Sequence, residues 1–261
     1  ETVLKVSHVN KANALGKQVL KDVSFQIPRG VILGIAGVEG NGQSEISEII
    51  SGMDRDFDGE VEVNGKSTRN MSVRELRENG VAHISEDRMT YGIVGDGSIA
   101  ENIISDRYYK KKFQKGLLLD QKKIDHMVEE LIDKFNVKCD GKDQPIRMLS
   151  GGNMQKVVAA REFTNHADLI IANQPTRGID IGASMFLRNK LVELRDAGAS
   201  VLLISADLSE VMEVSDRLIV MCGGKISAYF ENAEDITEEE MGLYMLGLKQ
   251  MTPEEIRRAS N

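Results

Sequence analysis

Leu149-Ser150-Gly151-Gly152-Asn153-Met154-Gln155-Lys156 is the stretch around which the rest of the chain can be ordered. A serine followed by two glycines at a helix start presents a hydroxyl, unshielded backbone N–H groups and the positive end of a helix dipole, which together suit an anion. A Ser-Gly-Gly turn that only caps a helix is the alternative. What precedes them is helical. From Asp120, a plausible N-cap, Ile124, Met127, Val128, Leu131, Ile132 and Phe135 recur at helical spacing. The motif therefore closes a helical lobe of about residues 90 to 150.

Toward the N-terminus, Val31 to Ala36 is a continuous apolar run, as expected of a strand buried on both faces. It leads into Gly37-Val38-Glu39-Gly40-Asn41-Gly42-Gln43-Ser44, after which Ile46, Ile49 and Ile50 mark the inward face of a helix. A glycine-rich turn between strand and helix lets successive N–H groups surround a phosphate, with Ser44 placed to reach Mg²⁺. The pattern departs at Gln43, where a phosphate loop carries a lysine. An ordinary strand-to-helix turn is the alternative. A dinucleotide fingerprint is set aside, because Glu45 stands where its third glycine belongs.

Val23, Phe25 and Ile27 alternate with polar residues, as do Val61 and Val63 before an Asn64-Gly65 turn, so the opening reads as an antiparallel β-layer. Past the motif, Leu169 to Ala172 and Val201 to Ser205 flank a helix carrying Leu187, Leu191 and Leu194, the βαβ rhythm of a parallel sheet. Leu218 to Met221, Gly223-Gly224 and Ile226 to Phe230 read as a hairpin, followed by a helix with Thr237 and Glu240 in capping-box spacing. The expectation is one α/β domain. Residues of about 1–89 and 151–232 form an antiparallel layer and a mixed or parallel core sheet, 90–150 an inserted helical lobe, and 233–261 a C-terminal helical extension.

Composition narrows the classes. The 33 Lys and Arg against 41 Asp and Glu give a net charge of -8, which argues against a main role on nucleic acid. Cys139 and Cys222 lack metal or redox spacing and read as unpaired thiols of a reducing compartment. No apolar run approaches the ~20 residues that span a bilayer, and no signal-peptide pattern opens the chain. Glu1 in place of a methionine suggests a fragment of a longer chain.

Taken with the loop at Gly37, the stretch from Leu149 resembles the signature motif of ABC transporter ATP-binding domains, so the resemblance implies a P-loop NTPase fold of the ABC type. In that family the phosphate loop, here Gly37, Gly40, Asn41, Gly42, Gln43, Ser44 and Glu45, binds ATP with Mg²⁺. The signature, here Leu149, Ser150, Gly151, Gly152 and Asn153, contacts the γ-phosphate held by an opposing domain. Leu169 to Asp180 looks like a Walker B strand entering a D-loop, with Asp180 retained. Asn173 and Gln174 stand where the family has an aspartate and a glutamate, and Ala206 stands where it has a switch histidine. With Gln43, four positions of phosphate transfer have lost charge or polarity. One preorganised group is commonly worth about 3 kcal/mol, so the resemblance implies a silent site.

Pro175-Thr176-Arg177-Gly178-Ile179-Asp180-Ile181-Gly182-Ala183 is similar to the D-loop in the second half of fused sugar-type importers, and Ser85-Glu86-Asp87-Arg88 replaces the Q-loop glutamine in the same manner. Glu86, Asp87 and Arg88 are then the candidates for coupling to membrane subunits, with a solvated charged turn as the alternative. The loop together with Ala172-Asn173-Gln174-Pro175 looks most like nucleoside importers of the basic membrane protein type. The resemblance implies an N-terminal ATPase half in the same longer chain, two membrane permeases, a substrate-binding lipoprotein and a place on the cytoplasmic face of the membrane. Asn10 to Gln18 offers no aromatic residue to stack on adenine, so weak nucleotide binding is expected. Tyr108 to Phe113 reads as a solvated helix face, with permease or lipid contact as the alternative. Two other functions remain open: a stand-alone nucleotide sensor that does not hydrolyse, and a soluble ABC ATPase. The acidic balance and the lack of coiled-coil insertions disfavour the second.

Overall fold

The computed structural model of the chain describes residues 1–260, in two compact units. The first comprises Glu1–His83, His166–Gln174 and the stretch from Arg188 to the C-terminus. It opens with β1 (Thr2–Ala12), β2 (Gln18–Pro28), β3 (Ile32–Gly37), α1 (Gln43–Ser51), β4 (Asp58–Val63), β5 (Lys66–Ser67), α2 (Val73–Glu78) and β6 (Val81–Ile84). The second, Ile84–Asn165 with Pro175–Leu187, contains α3 (Ile99–Ile104), β7 (Gln114–Lys115), β8 (Leu118–Leu119), α4 (Gln121–Lys134) and α5 (Gly151–Phe163). The first unit resumes with β9 (Leu169–Asn173), the C-terminal part of α6 (Ile181–Asp196), β10 (Ser200–Ile204), α7 (Leu208–Val214), β11 (Arg217–Cys222), β12 (Lys225–Phe230), α8 (Glu238–Met245) and α9 (Pro253–Ile256).

In the first unit, the three strands of the opening segment separate into two sheets. β1 and β2 join the antiparallel layer, ordered β2-β1-β4-β5, whereas β3 enters a six-stranded sheet ordered β12-β11-β3-β10-β9-β6. The split follows from side-chain pattern. β2 alternates buried Val23, Phe25 and Ile27 with partly exposed neighbours, while every residue of β3, β9 and β10 is buried. Parallel register aligns Ile204 of β10 with Ile35 of β3 and with Asn173 of β9. Ile46, Ile49 and Ile50 of α1 are buried in one core with Leu33, Ile35, Ile171, Leu202 and Phe25. Each such side chain contributes about 1.5–3 kcal/mol by leaving water. The hairpin expected around Gly223-Gly224 is β11–β12, with a smaller core of Val211, Val220, Met241 and Tyr244 beside it.

In the second unit, Asp120 caps α4 as its sequence suggests, and Ile124, Val128 and Leu131 are the buried face. Phe135 packs edge-on to Phe186 at 6.0 Å and tilted to Phe163 at 6.5 Å. The segment from Tyr108 to Phe113 is not a helix face. It is a turn ending in a short 3-10 coil at Lys111–Phe113, and Phe113 is buried while Lys111 and Lys112 before it are exposed. The capping box expected at Thr237 is half made: Thr237 accepts the Glu240 N–H, but the Glu240 carboxylate pairs with Lys249 instead. Among the described residues, no helix is long and apolar enough to cross a membrane, and both cysteines are free.

Candidate functional site

Parallel strands deliver their C-terminal ends to one edge of a sheet, and ligands of such sheets gather there. The turn after β3, the residues Asn173 and Gln174 closing β9, and Ser205 and Ala206 following β10 therefore share one edge in the first unit. α1 begins at Gln43 behind a left-handed Gly42 with φ 106°, so the chain turns abruptly from strand to helix.

The Gln43 side chain folds back into its own loop. It is only 7% exposed, its Oε1 accepts the Asn41 N–H at 3.1 Å, and its Nε2 donates to Val38 O at 3.1 Å. Gly37 leaves room for it, since a Cβ there would collide with the Gln43 amide. Asn41 Nδ2 donates to the same Val38 carbonyl at 2.8 Å, and Asn41 Oδ1 accepts the Gly223 N–H at 2.6 Å, tying the loop to the β11–β12 turn. A phosphate oxygen seated in this loop would compete with Gln43 Oε1 for the Asn41 N–H.

At the end of β9 the two amides behave differently. Asn173 is buried, and its Oδ1 has no hydrogen-bond partner, leaving a desolvated acceptor available to a metal-bound water. Gln174 adopts a left-handed backbone, with φ 51°, and its N–H donates to Ile204 O at 2.7 Å. Its Oε1 accepts the Ala206 N–H at 3.0 Å. Gln174 and Ala206 thus meet directly, and this edge carries neutral amides where phosphate chemistry uses charge. The glycine turn, Ser44 at the start of α1 and the orphaned Asn173 oxygen fit a magnesium polyphosphate, with the Gln43 amide as the obstacle. Among the described residues, no cluster of three His, Cys, Asp or Glu side chains could hold a metal by itself.

The second unit holds the signature residues and the Asp180 turn together. Ser150 caps α5: its Oγ accepts from Asn153 Nδ2 at 2.9 Å and from the Asn153 N–H at 3.4 Å. Asn153 Oδ1 in turn accepts the Lys138 N–H at 2.9 Å, and Leu149 is buried. Gly152 is required by contact, because a Cβ there would lie 2.5 Å from Asp180 Oδ2 and 2.8 Å from the Ala183 methyl. Asp180 meanwhile starts α6, its Oδ1 accepting the Ala183 N–H at 2.9 Å.

The loop Glu86-Asp87-Arg88 is wired to both segments. Arg88 donates to Gln155 Oε1 at 3.2 Å, and the buried Gln155 passes the connection on through its Nε2 to Pro175 O at 2.8 Å. Arg177 pairs with Glu86 at 2.6 Å. Burial pushes the Arg88 guanidinium below its ordinary pKa. Asp87 accepts the Thr90 N–H at 3.0 Å at the head of a single wide π-type turn, Arg88–Gly92, and hydrogen bonds from Thr90 hold its carboxyl below the usual range. Local sequence gives no sign of these ties of Gln155 and Arg177. Their partners are 67 and 91 residues away, and nothing local distinguishes them.

A strand-to-helix phosphate-type turn, a Ser-Gly-Gly helix start and a doubly layered α/β unit together define an ATP-binding cassette. The chain belongs to the ABC transporter family: the family model described as "ABC transporter" matches residues 20–177. It is 40% identical over 248 residues to the guanosine import ATP-binding protein NupO of Bacillus subtilis, a match that covers 95% of this chain and 48% of that protein. It is 37% identical to the nucleoside import ATP-binding protein NupA of Lactococcus lactis, covering 95% of this chain and 49% of that protein. The chain thus spans about half the length of the curated relatives it matches. Among solved structures, a dimeric ATP-binding cassette in a post-hydrolysis state with ADP and phosphate superposes with a TM-score of 0.75 at 22% identity, covering 87% of this chain and 97% of that one.

Proposed function

We propose that this chain is one nucleotide-binding half of the ATP-binding protein of an importer for nucleosides or simple sugars, with a silent site of its own and a signature that completes the site of a partner half. The observation that carries it is the contrast between the units: Ser150, Gly152 and Asp180 are intact and tightly supported, whereas Gln43, Asn173, Gln174 and Ala206 place neutral groups along the phosphate edge. The double length of the relatives supports a second half elsewhere in the same protein; in this reading that half is an ATPase preceding this one, and the pair works with two permeases and a substrate-binding lipoprotein at the cytoplasmic face of the membrane. The loop of Glu86, Asp87 and Arg88 is the part that senses the permease, since its two ties reach both the signature helix and the Asp180 turn.

In the assembled importer, Ser150→Ala removes a hydroxyl aimed at a charged phosphate, a bond worth roughly 1.5 kcal/mol or more, so ATPase activity falls about tenfold. Ser44→Ala, on the silent side, leaves it within about twofold of the parent. Equal losses from both substitutions, or none from Ser150→Ala, would overturn the division of labour.

Within this reading, Gln43 limits nucleotide binding by filling the loop. Gln43→Ala gives up its two hydrogen bonds, each worth about 0.5–1.5 kcal/mol net, and frees the Asn41 N–H. Titration with a fluorescent ATP analogue and Mg²⁺ is expected to show affinity rising about threefold to tenfold. A fall in affinity would mean that the Gln43 amide itself holds the nucleotide.

A further inference from the structure

The hairpin β7–β8 uses its apolar residues outward. Gln114 pairs with Leu119 and Lys115 with Leu118, and the connecting pair Gly116-Leu117 turns through a Gly116 φ of 66°. Leu117, Leu118 and Leu119 are 105%, 75% and 48% exposed, three adjacent leucines at the end of a projecting finger. The finger is rooted, not loose: Phe113 is buried at its base, the Asp120 N–H donates to Phe113 O at 2.8 Å, and Gln114 Nε2 reaches Tyr109 O at 3.3 Å. Scattered single leucines on a surface need no explanation, but a contiguous tip does.

The surroundings of the tip say what covers it. Six lysines and one aspartate lie between Lys110 and Lys123, in a chain whose net charge is -8. Lys111, Lys112, Lys115 and Lys122 are exposed around the leucines. Tyr108, also exposed, stands edge-on to Tyr109 at 5.7 Å. Exposed leucines at the turn, exposed lysines on either side of them in sequence and the exposed Tyr108 are the residue types that the acyl boundary, headgroup phosphates and interface of an anionic bilayer accept. A protein pocket for three leucines would have no need of so many cations beside it, six lysines against the single Asp120.

We propose that the Gly116–Leu119 tip inserts into the headgroup region of an anionic lipid leaflet and holds this chain against the membrane directly. The inference stands independently of whether the nucleotide site is silent. The test is sedimentation of the chain with vesicles of equal parts phosphatidylserine and phosphatidylcholine, against vesicles of phosphatidylcholine alone. Binding is expected only to the anionic vesicles, and to weaken in high salt. Leu117→Ser/Leu118→Ser lowers the bound fraction about tenfold or more by removing inserted side chains. Lys111→Glu/Lys115→Glu does so by reversing the charge of these lysines, each lysine alone being worth about fivefold. All these positions are exposed, so melting temperatures matching the parent show that folding is intact. A parent chain that ignores anionic vesicles, or variants that sediment like the parent, overturns the proposal. So does a leucine variant that binds vesicles normally but assembles poorly with membrane subunits in detergent, which would assign the tip to a protein partner.

Discussion

Gly152→Val is expected to lower the melting temperature of this chain by roughly 5–10 °C and, if the chain works in an importer as proposed, the ATPase activity of that assembly by more than about a hundredfold. The position has no spare volume, as the first added carbon already meets Asp180 Oδ2 at 2.5 Å and Ala183 Cβ at 2.8 Å. Neither can yield freely: Asp180 Oδ1 holds the Ala183 N–H at 2.9 Å and starts α6, and Ala183 is buried. Overpacking of this kind typically costs 1–3 kcal/mol, and displacing the cap adds about 1 kcal/mol, so a loss of roughly 2–4 kcal/mol is expected. The activity loss has a separate origin, since the same shift would tilt the start of α5 and displace the Ser150 hydroxyl from the phosphate it is proposed to contact. Gly151→Ala is the control. Its nearest neighbours would be Gly178 O at 3.2 Å and Arg88 Nη2 at 3.5 Å, so melting should change far less while the same motif is altered. A Gly152→Val chain that melts with the parent would show that Asp180 moves aside and that the glycine is not required by packing.

The fold was legible in the sequence wherever burial alone decides structure. The all-apolar runs at Ile32, Leu169 and Val201, the isoleucine stripe of α1 and the Asp120 cap each report a single local requirement, and each is met. Legibility failed where a residue's role depends on a distant partner or reverses the usual burial rule. The Leu117–Leu119 tip carries apolar residues outward, so no periodicity announces it. Glu240 has the spacing of a capping residue, but Lys249 competes for its carboxylate and wins. At the candidate site, the identities at Gln43, Asn173, Gln174 and Ala206 could be read, but not their uses. That Gln43 closes its own loop is a matter of side-chain rotamer, and that Gln155 joins Arg88 to Pro175 is a matter of tertiary packing.

The reverse experiment has the larger reach. If the site is silent as proposed, Gln43→Lys/Asn173→Asp/Gln174→Glu/Ala206→His is expected to yield a chain that hydrolyses MgATP at least about a hundredfold faster than the parent. The scaffold is already in place for three of the four groups. Gln174 Oε1 accepts the Ala206 N–H, so a glutamate oxygen can keep that bond while the carboxylate adds a proton acceptor. Asn173 Oδ1 is buried with no partner, and Asp supplies there a full negative charge for a metal-bound water. Gln43→Lys removes the oxygen that holds the Asn41 N–H and introduces a cation that would neutralise bound phosphates. On the proposed division of labour, in which Ser150, Gly152 and Asp180 serve a partner's site, two restored copies placed head to tail would each complete the other's site. Adding Ser150→Ala to the restored chain should then remove most of the gain, which separates composite-site turnover from contamination. A restored chain that melts like the parent and binds MgATP but turns over no faster would show that the silence lies outside these four positions. A parent chain that already hydrolyses MgATP, and stops when Ser44 becomes alanine, would show that the neutral amides suffice.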